Sequence, residues 1–220
     1  MSAHHTLDTS RRAGAAWRVC ACAGLLGLSL LTGCASLLPK PQPTPTLFVL
    51  DDAGSAATSA PRPGAAAATL IVNAPRATAA FDTTHIVYLR HAHEIEYFAH
   101  NQWADTPAQM LAPLIVHRLE RSGVFRAVVH GPSSVAADLR LDTELVRLQH
   151  EFTGASSRVR LTLRAVLVET ATRRVLAWRE FDASVAAPSN DPQGGVMAAN
   201  QAVQNVLSEL AAFCAENAAR

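Results

Sequence analysis

Apolar and polar residues alternate most cleanly over residues 157–168. Val159, Leu161, Leu163, Ala165 and Leu167 share one parity, and Arg158, Arg160, Thr162 and Arg164 the other. A period of two predicts a strand with one buried and one wet face. Residues 138–152 alternate as well. Leu139, Leu141, Thr143 and Leu145 hold one phase, then Val146, Leu148 and Phe152 take the other, which predicts a β-bulge near Leu145. Thr170 to Arg173 turns the chain into a further strand at 175–185, so the three make a meander. Upstream, short runs at 46–50, 69–73, 85–90, 93–98 and 124–129 are rich in strand formers. His91 and Ala92 are few enough to join 85–90 and 93–98 as a hairpin.

Two segments switch to helical spacing. In the first, Met110, Leu111, Leu114, Ile115 and Leu119 form one stripe. Thr106 as N-cap, Pro107 at the first position and Gln109 at the third match a capping box. Pro113 removes a backbone donor and predicts a kink or a later start, and Ser122-Gly123 ends the helix. In the second, residues 193–217, the positions Val196, Ala199, Val203, Val206, Leu210 and Phe213 step by threes and fours. The order is strands, helix, β-meander, helix, without βαβ alternation. It predicts an α+β fold in which two helices pack on one face of an antiparallel sheet.

The N-terminus follows another pattern. An apolar run from Val19 to Leu31 comes after Arg11, Arg12 and Arg18. It is too short for a bilayer, which needs ~20 residues, and a basic start with a short apolar middle marks a secretory signal peptide. Leu31, Thr32, Gly33 and Cys34 have the form of a bacterial lipobox, which makes Cys34 the first mature residue and its lipidation site (palmitate among the acyl chains). More than one chain is needed for stable anchoring. The plainer alternative is a signal peptide followed by an incidental Cys. Ala35 after the Cys, rather than Asp, favours the outer membrane with the protein facing the periplasm. Pro39, Pro41, Pro43 and Pro45 then alternate, giving an extended spacer of ~3 Å per residue. The organisation expected is a signal peptide at 1–33, a lipidated tether at 34–45 and a single domain at 46–217. Residues 52–68, dominated by Ala, Gly, Ser, Thr and Pro, read as a flexible loop within that domain.

Composition narrows the chemistry. Taking Arg11, Arg12, Arg18 and Asp8 from 19 basic and 18 acidic residues leaves 16 and 17, so the mature chain lacks the basic excess of a nucleic-acid binder. Of four cysteines, Cys20 and Cys22 leave with the signal and Cys34 takes lipid. Cys214 alone remains, which excludes an internal disulfide and a multi-Cys metal site. On its apolar stripe it reads as a small core residue rather than a reactive thiol.

Sites for catalysis are sparse. His85, His91, His93 and His100 cluster, and His91 and His93 would share a strand face suited to a metal. No Cys or carboxylate completes a set, so no metal site and no cofactor are expected. His150-Glu151 starts like a zinc-protease motif, but position 154 is Gly154 and the segment reads as a strand. No nucleophile elbow, phosphate loop or dinucleotide fingerprint occurs, and the chain is not expected to be an enzyme. Arg158, Arg160 and Arg164 read as a solvated sheet face, paired with Asp142 and Glu144, rather than as an anionic-lipid patch. The stretch Glu94 to Trp103 is the most distinctive. Its Tyr97, Phe98 and Trp103 are either core filler where the helix docks or a contact surface for a partner or cargo.

This junction carries a family likeness. Ile86-Val87-Tyr88, Glu94 to Tyr97, Trp103-Ala104 with Pro107, Met110-Leu111, Leu119, Gly123-Val124-Phe125 and Val128-Val129 occur in order, with the lipobox ahead of them. In this the chain resembles the ABC-type transport auxiliary lipoproteins, periplasmic components of mammalian-cell-entry-type lipid transport systems. The likeness runs from Leu47 to Phe213; Phe48 stands where an aromatic-Tyr start is common, and the 52–68 loop is long. The resemblance implies an outer-membrane-anchored auxiliary subunit that docks or adapts the assembly. Its partners would be a lipid-channel protein, a permease and an ATPase, with a homo-oligomer admitted by exposed strand edges. The competing reading is a lipoprotein regulator of a cell-envelope enzyme such as a cell-wall synthase.

Overall fold

The computed structural model describes residues 43–52 and 67–218. The signal peptide, the lipobox residues Leu31, Thr32 and Gly33, the lipidation site Cys34, and most of the tether and of the 52–68 loop lie outside them. In chain order the strands are β1 (Thr46–Phe48), β2 (Thr69–Val72), β3 (Arg76–Ala77), β4 (His85–Leu89) and β5 (Glu96–Trp103). Helix α1 (Pro107–Ser122) follows, then β6 (Ala127–His130), β7 (Leu139–Glu151), β8 (Arg158–Glu169), β9 (Val175–Ala186) and helix α2 (Pro192–Asn217). The α+β class agrees with the sequence reading, and the element order agrees in part, since β3 and a short 3₁₀ turn at Ala79–Phe81 have no counterpart in it.

The sheet is mixed, which corrects the antiparallel expectation. β7, β8 and β9 form the antiparallel meander, and β4 and β5 an antiparallel hairpin. The pairings of β1 with β5, β2 with β6, and β7 with each of β2, β3 and β4 are parallel. Alternation reports which face a side chain occupies and not which strand lies beside it. Here β2, β3 and β4 lie end to end along one edge of β7. The chain returns to that edge in parallel because α1 intervenes, and a parallel neighbour needs such a crossover.

The predicted bulge is present. β7 pairs Leu145 with Leu163 and then Arg147 with Thr162, leaving Val146 as the extra residue. On the other edge Thr78 donates its N–H to Leu145 O at 3.0 Å and its hydroxyl to Val146 O at 3.0 Å, so the bulged backbone is satisfied. Beyond the bulge the inward phase passes to Leu148 and His150.

Some details depart from expectation. The second hairpin strand starts at Glu96, not at residue 93, and runs on to Trp103. His91 and His93 therefore fall in the connection, with His93 at φ 69°, and do not share a strand face. Thr106 is the N-cap of α1 but its side chain caps nothing. Asp105 Oδ1 already takes the Thr106 N–H at 2.7 Å, the donor that Gln109 would have bonded in a capping box. The helix runs unbroken through Pro113, which is exposed, as is Gln109, so water reaches the carbonyl that loses its partner. Gly123 ends the helix at φ 66°, a left-handed cap that favours glycine.

Both helices belong to one core with the inner face of the sheet. Phe181 of β9 meets Phe213 of α2 edge-on at 5.8 Å, and all six stripe positions read for α2 are buried. Cys214 is buried beside them, and burial pushes its thiol up to about 12. The outer face is wet and ion-paired. Arg164 bridges Glu144 and Glu180, Arg160 pairs with Asp182, and Asp142 is held by Arg140 and Asn73 instead of by the β8 arginines.

Candidate functional site

Of the three aromatics singled out in the sequence, only Phe98 lines the open cleft beside β4 and β5. Trp103 is buried in the core, at 4 % exposure, and presents no surface to a partner. Tyr97 is 49 % exposed and stacks at 5.1 Å on His85. Phe98 packs on Tyr88 of β4 at 4.4 Å between ring centres. Phe152, just past β7, meets Tyr88 at 5.8 Å and Phe98 at 6.4 Å, both edge-on. These rings meet because β4 joins the end of β7, with Tyr88 beside His150, and because Phe152 N–H donates to Leu89 O.

Beside them opens a cleft of about 490 Å³, lined among the described residues by Tyr88, Arg90, His91, Phe98, Phe152 and Asn190. Tyr88 Oη donates to Glu96 at 2.9 Å, and Arg90 Nη2 donates to both Tyr88 Oη and Glu96 at 2.8 Å. The guanidinium also lies over the Tyr88 ring, 5.3 Å from its centre. Asn190 turns its Oδ1 to the Ser157 N–H at 2.9 Å.

His150 adjoins the rings from the core side. It lies 4.2 Å from Phe152 and 6.3 Å from Phe98, and its Nε2 is 2.8 Å from Ser157 Oγ. Its Nδ1 is buried with no hydrogen-bond partner, facing Gly195 in the first turn of α2. Burial lowers its pKa to about 4, outweighing the opposite pull of Asp191. Asp191 caps α2, accepting from the Gly194 N–H at 2.8 Å, and that bond holds its carboxyl below the usual range. The Ser157–His150 contact resembles half of a catalytic triad, yet Ser157 is 1 % exposed and no carboxylate bonds Nδ1. The pair holds the strand end and offers no accessible nucleophile. Among the described residues no three His, Cys, Asp or Glu side chains come together as a metal site.

Sequence reasoning missed His150, Phe152 and Asn190 as parts of one site. The phase after the bulge did carry a signal, since Leu148, His150 and Phe152 share a parity. The meeting with Tyr88 and Phe98 depends on the parallel join of β4 to β7, which the pattern did not report.

The fold and this site define a small α+β domain with a mixed sheet and an aromatic-lined cleft. A family model described as the ABC-type transport auxiliary lipoprotein component matches residues 48–211, and the chain belongs to that family. Among proteins with curated descriptions, none matches in sequence. Solved structures share the fold. A protein from Xanthomonas campestris is 23 % identical with a TM-score of 0.64, covering 79 % of this chain and 94 % of that one. A hypothetical protein from Chlamydia trachomatis is 11 % identical with a TM-score of 0.51, covering 70 % and 98 %. No helix among the described residues is long and apolar enough to cross a membrane.

Proposed function

We propose that the protein is a periplasmic adaptor, anchored to the outer membrane through Cys34, that docks an ABC-type transport system for lipid or other hydrophobic cargo at its target membrane. The family match across residues 48–211 carries this reading. In it the protein performs no catalysis and binds no cofactor, and energy comes from the ATPase and permease of the same system. The lipid-channel protein is the partner it touches. Exposed strand edges, such as that of β9, leave room for a homo-oligomer within the assembly.

The test is gentle cross-linking of the native, full-length protein in its own envelope, followed by capture and mass spectrometry. The lipid-channel protein, permease or ATPase should be recovered with it. Recovery of a cell-wall synthase, with no transport component, would overturn the proposal in favour of the regulator reading.

A further inference from the structure

The polar groups around the aromatic cleft are unequally spent. Tyr88 Oη both donates and accepts, and Asn190 Oδ1 is taken by Ser157. Glu96 is turned onto Arg90 and Tyr88. Among the side chains that line the cleft, what remains is chiefly donor capacity: Nε and Nη1 of Arg90, Nδ2 of Asn190, and a ring N–H of the exposed His91. Behind this rim the walls are Tyr88, Phe98 and Phe152, with His150 adjoining them from the core side. Burial lowers the pKa of His150 to about 4, so at neutral pH it adds no charge beside these rings. A volume of about 490 Å³ falls in the range of small-ligand sites, ~300–1,000 Å³.

An uncharged hydrocarbon would make no use of those donors, and a cation would meet Arg90. A ligand that is apolar along its body and accepts hydrogen bonds at one charged end satisfies both parts. We propose that the cleft binds one hydrocarbon chain of a lipid with a carboxylate or phosphate head, with that chain against Phe98 and Phe152 and the head on Arg90 and Asn190. The inference rests on the transport reading above and deepens it: the subunit handles cargo as well as docking the machinery.

The experiment uses full-length lipidated protein in nanodiscs of phosphatidylethanolamine and phosphatidylglycerol. Two photoactivatable probes are added separately, a diazirine-bearing palmitic acid and a diazirine-bearing phosphatidylethanolamine, and labelled peptides are mapped by mass spectrometry. Labelling of the peptides holding Phe98 and Phe152 is expected. Labelling by the acid alone identifies a free fatty acid as the ligand, and labelling by the phospholipid, alone or as well, identifies a membrane lipid. Arg90→Gln should weaken labelling about tenfold, the worth of one charge-assisted hydrogen bond. Asn190→Asp keeps the acceptor for Ser157 but turns the free donor into a carboxylate oxygen. It should abolish labelling at an unchanged melting temperature, and it serves as the test if Arg90→Gln fails to fold. The proposal is overturned if neither probe labels the cleft, or if labelling is the same in the folded variants as in the wild type. Capture of transport components by the same variants separates the two readings. Unlabelled protein that still captures them defeats this inference alone, and labelled protein that captures none defeats the docking role alone.

Discussion

His150 Nε2 lies 2.8 Å from Ser157 Oγ, tying the end of β7 to the residue that precedes β8. Both side chains are almost fully buried, and the other ring nitrogen has no partner. An imidazole so placed resists protonation, because the charged form would have to exist without water beside two aromatic rings.

The pH dependence of stability follows from this. His150 titrates near 6.5 in the unfolded chain and at about 4 in the fold. Between those values the unfolded chain binds a proton that the native site refuses, so acid favours unfolding. Stability should be at its full value above about pH 7, fall by about 2–3 kcal/mol as pH drops towards 4, and level off about one pH unit below that. Asp182, held below the usual carboxylate range by Arg160, adds a loss that sets in only under about pH 4. Denaturant midpoints measured across this range should show the first loss in the wild type and not in His150→Phe. An equal slope in the variant would remove His150 from the account.

Gly195 is the residue over which that ring sits. A Cβ built there meets His150 Nδ1 at 2.4 Å and Cε1 at 2.8 Å, closer than any tolerated contact. Gly195→Ala should therefore cost about 1–3 kcal/mol through overpacking, against the small gain expected of Gly→Ala within a helix. Adding His150→Ala should return part of that loss, and a double-mutant cycle by chemical denaturation measures the coupling. Additive single effects would show that α2 moves freely away from the ring.

Much of this arrangement was legible in the residues, and the rest was not for an identifiable reason. The alternation of Val159 to Leu167 fixed an inward face, the slip after Leu145 located the bulge, and the stripe from Val196 to Phe213 placed α2. Each is a local signal of period or phase. The parallel attachment of β2, β3 and β4 to β7 is non-local, and short apolar runs such as Thr69–Val72 read the same beside a parallel or an antiparallel neighbour. The candidate site suffered from the same blindness. Phe98 is conspicuous in the sequence as an aromatic near a helix start, but its companions Tyr88, Phe152 and Asn190 come from three other places in the chain. Trp103 is equally conspicuous and is core, where it faces Val196 and Ala199 of α2 across a small internal cavity.

Asp52 and Arg118 form the most buried ion pair among the described residues, at 4 % and 15 % side-chain exposure. Arg118 uses Nε and Nη2 on the two carboxylate oxygens, which pins the segment after β1 to α1. Removing one partner leaves the other charge buried and unpaired, typically at a cost of about 3–5 kcal/mol. Asp52→Ala should lower the melting temperature markedly, whereas Asp52→Leu combined with Arg118→Met should lose much less. If the double variant melts no higher than Asp52→Ala, the loss comes from packing and not from the stranded guanidinium.

Arg164 offers the opposite case. It bridges Glu144 on β7 and Glu180 on β9, both at 3.0 Å, yet its side chain is 44 % exposed. Water screens charges placed this way, and holding a long side chain in one rotamer costs entropy, so exposed pairs are worth about 0–1 kcal/mol. The two carboxylates lie on the strands either side of β8, two strand spacings apart, so deleting the cation exposes only a weak, screened repulsion between them. Arg164→Ala should accordingly cost under about 1 kcal/mol at low ionic strength. The cost should shrink further as salt brings the screening length below about 10 Å. Urea midpoints at low and high salt measure both quantities. A larger loss that salt leaves unchanged would mean that the Arg164 stem contributes by covering the sheet face, and that its charge contributes little.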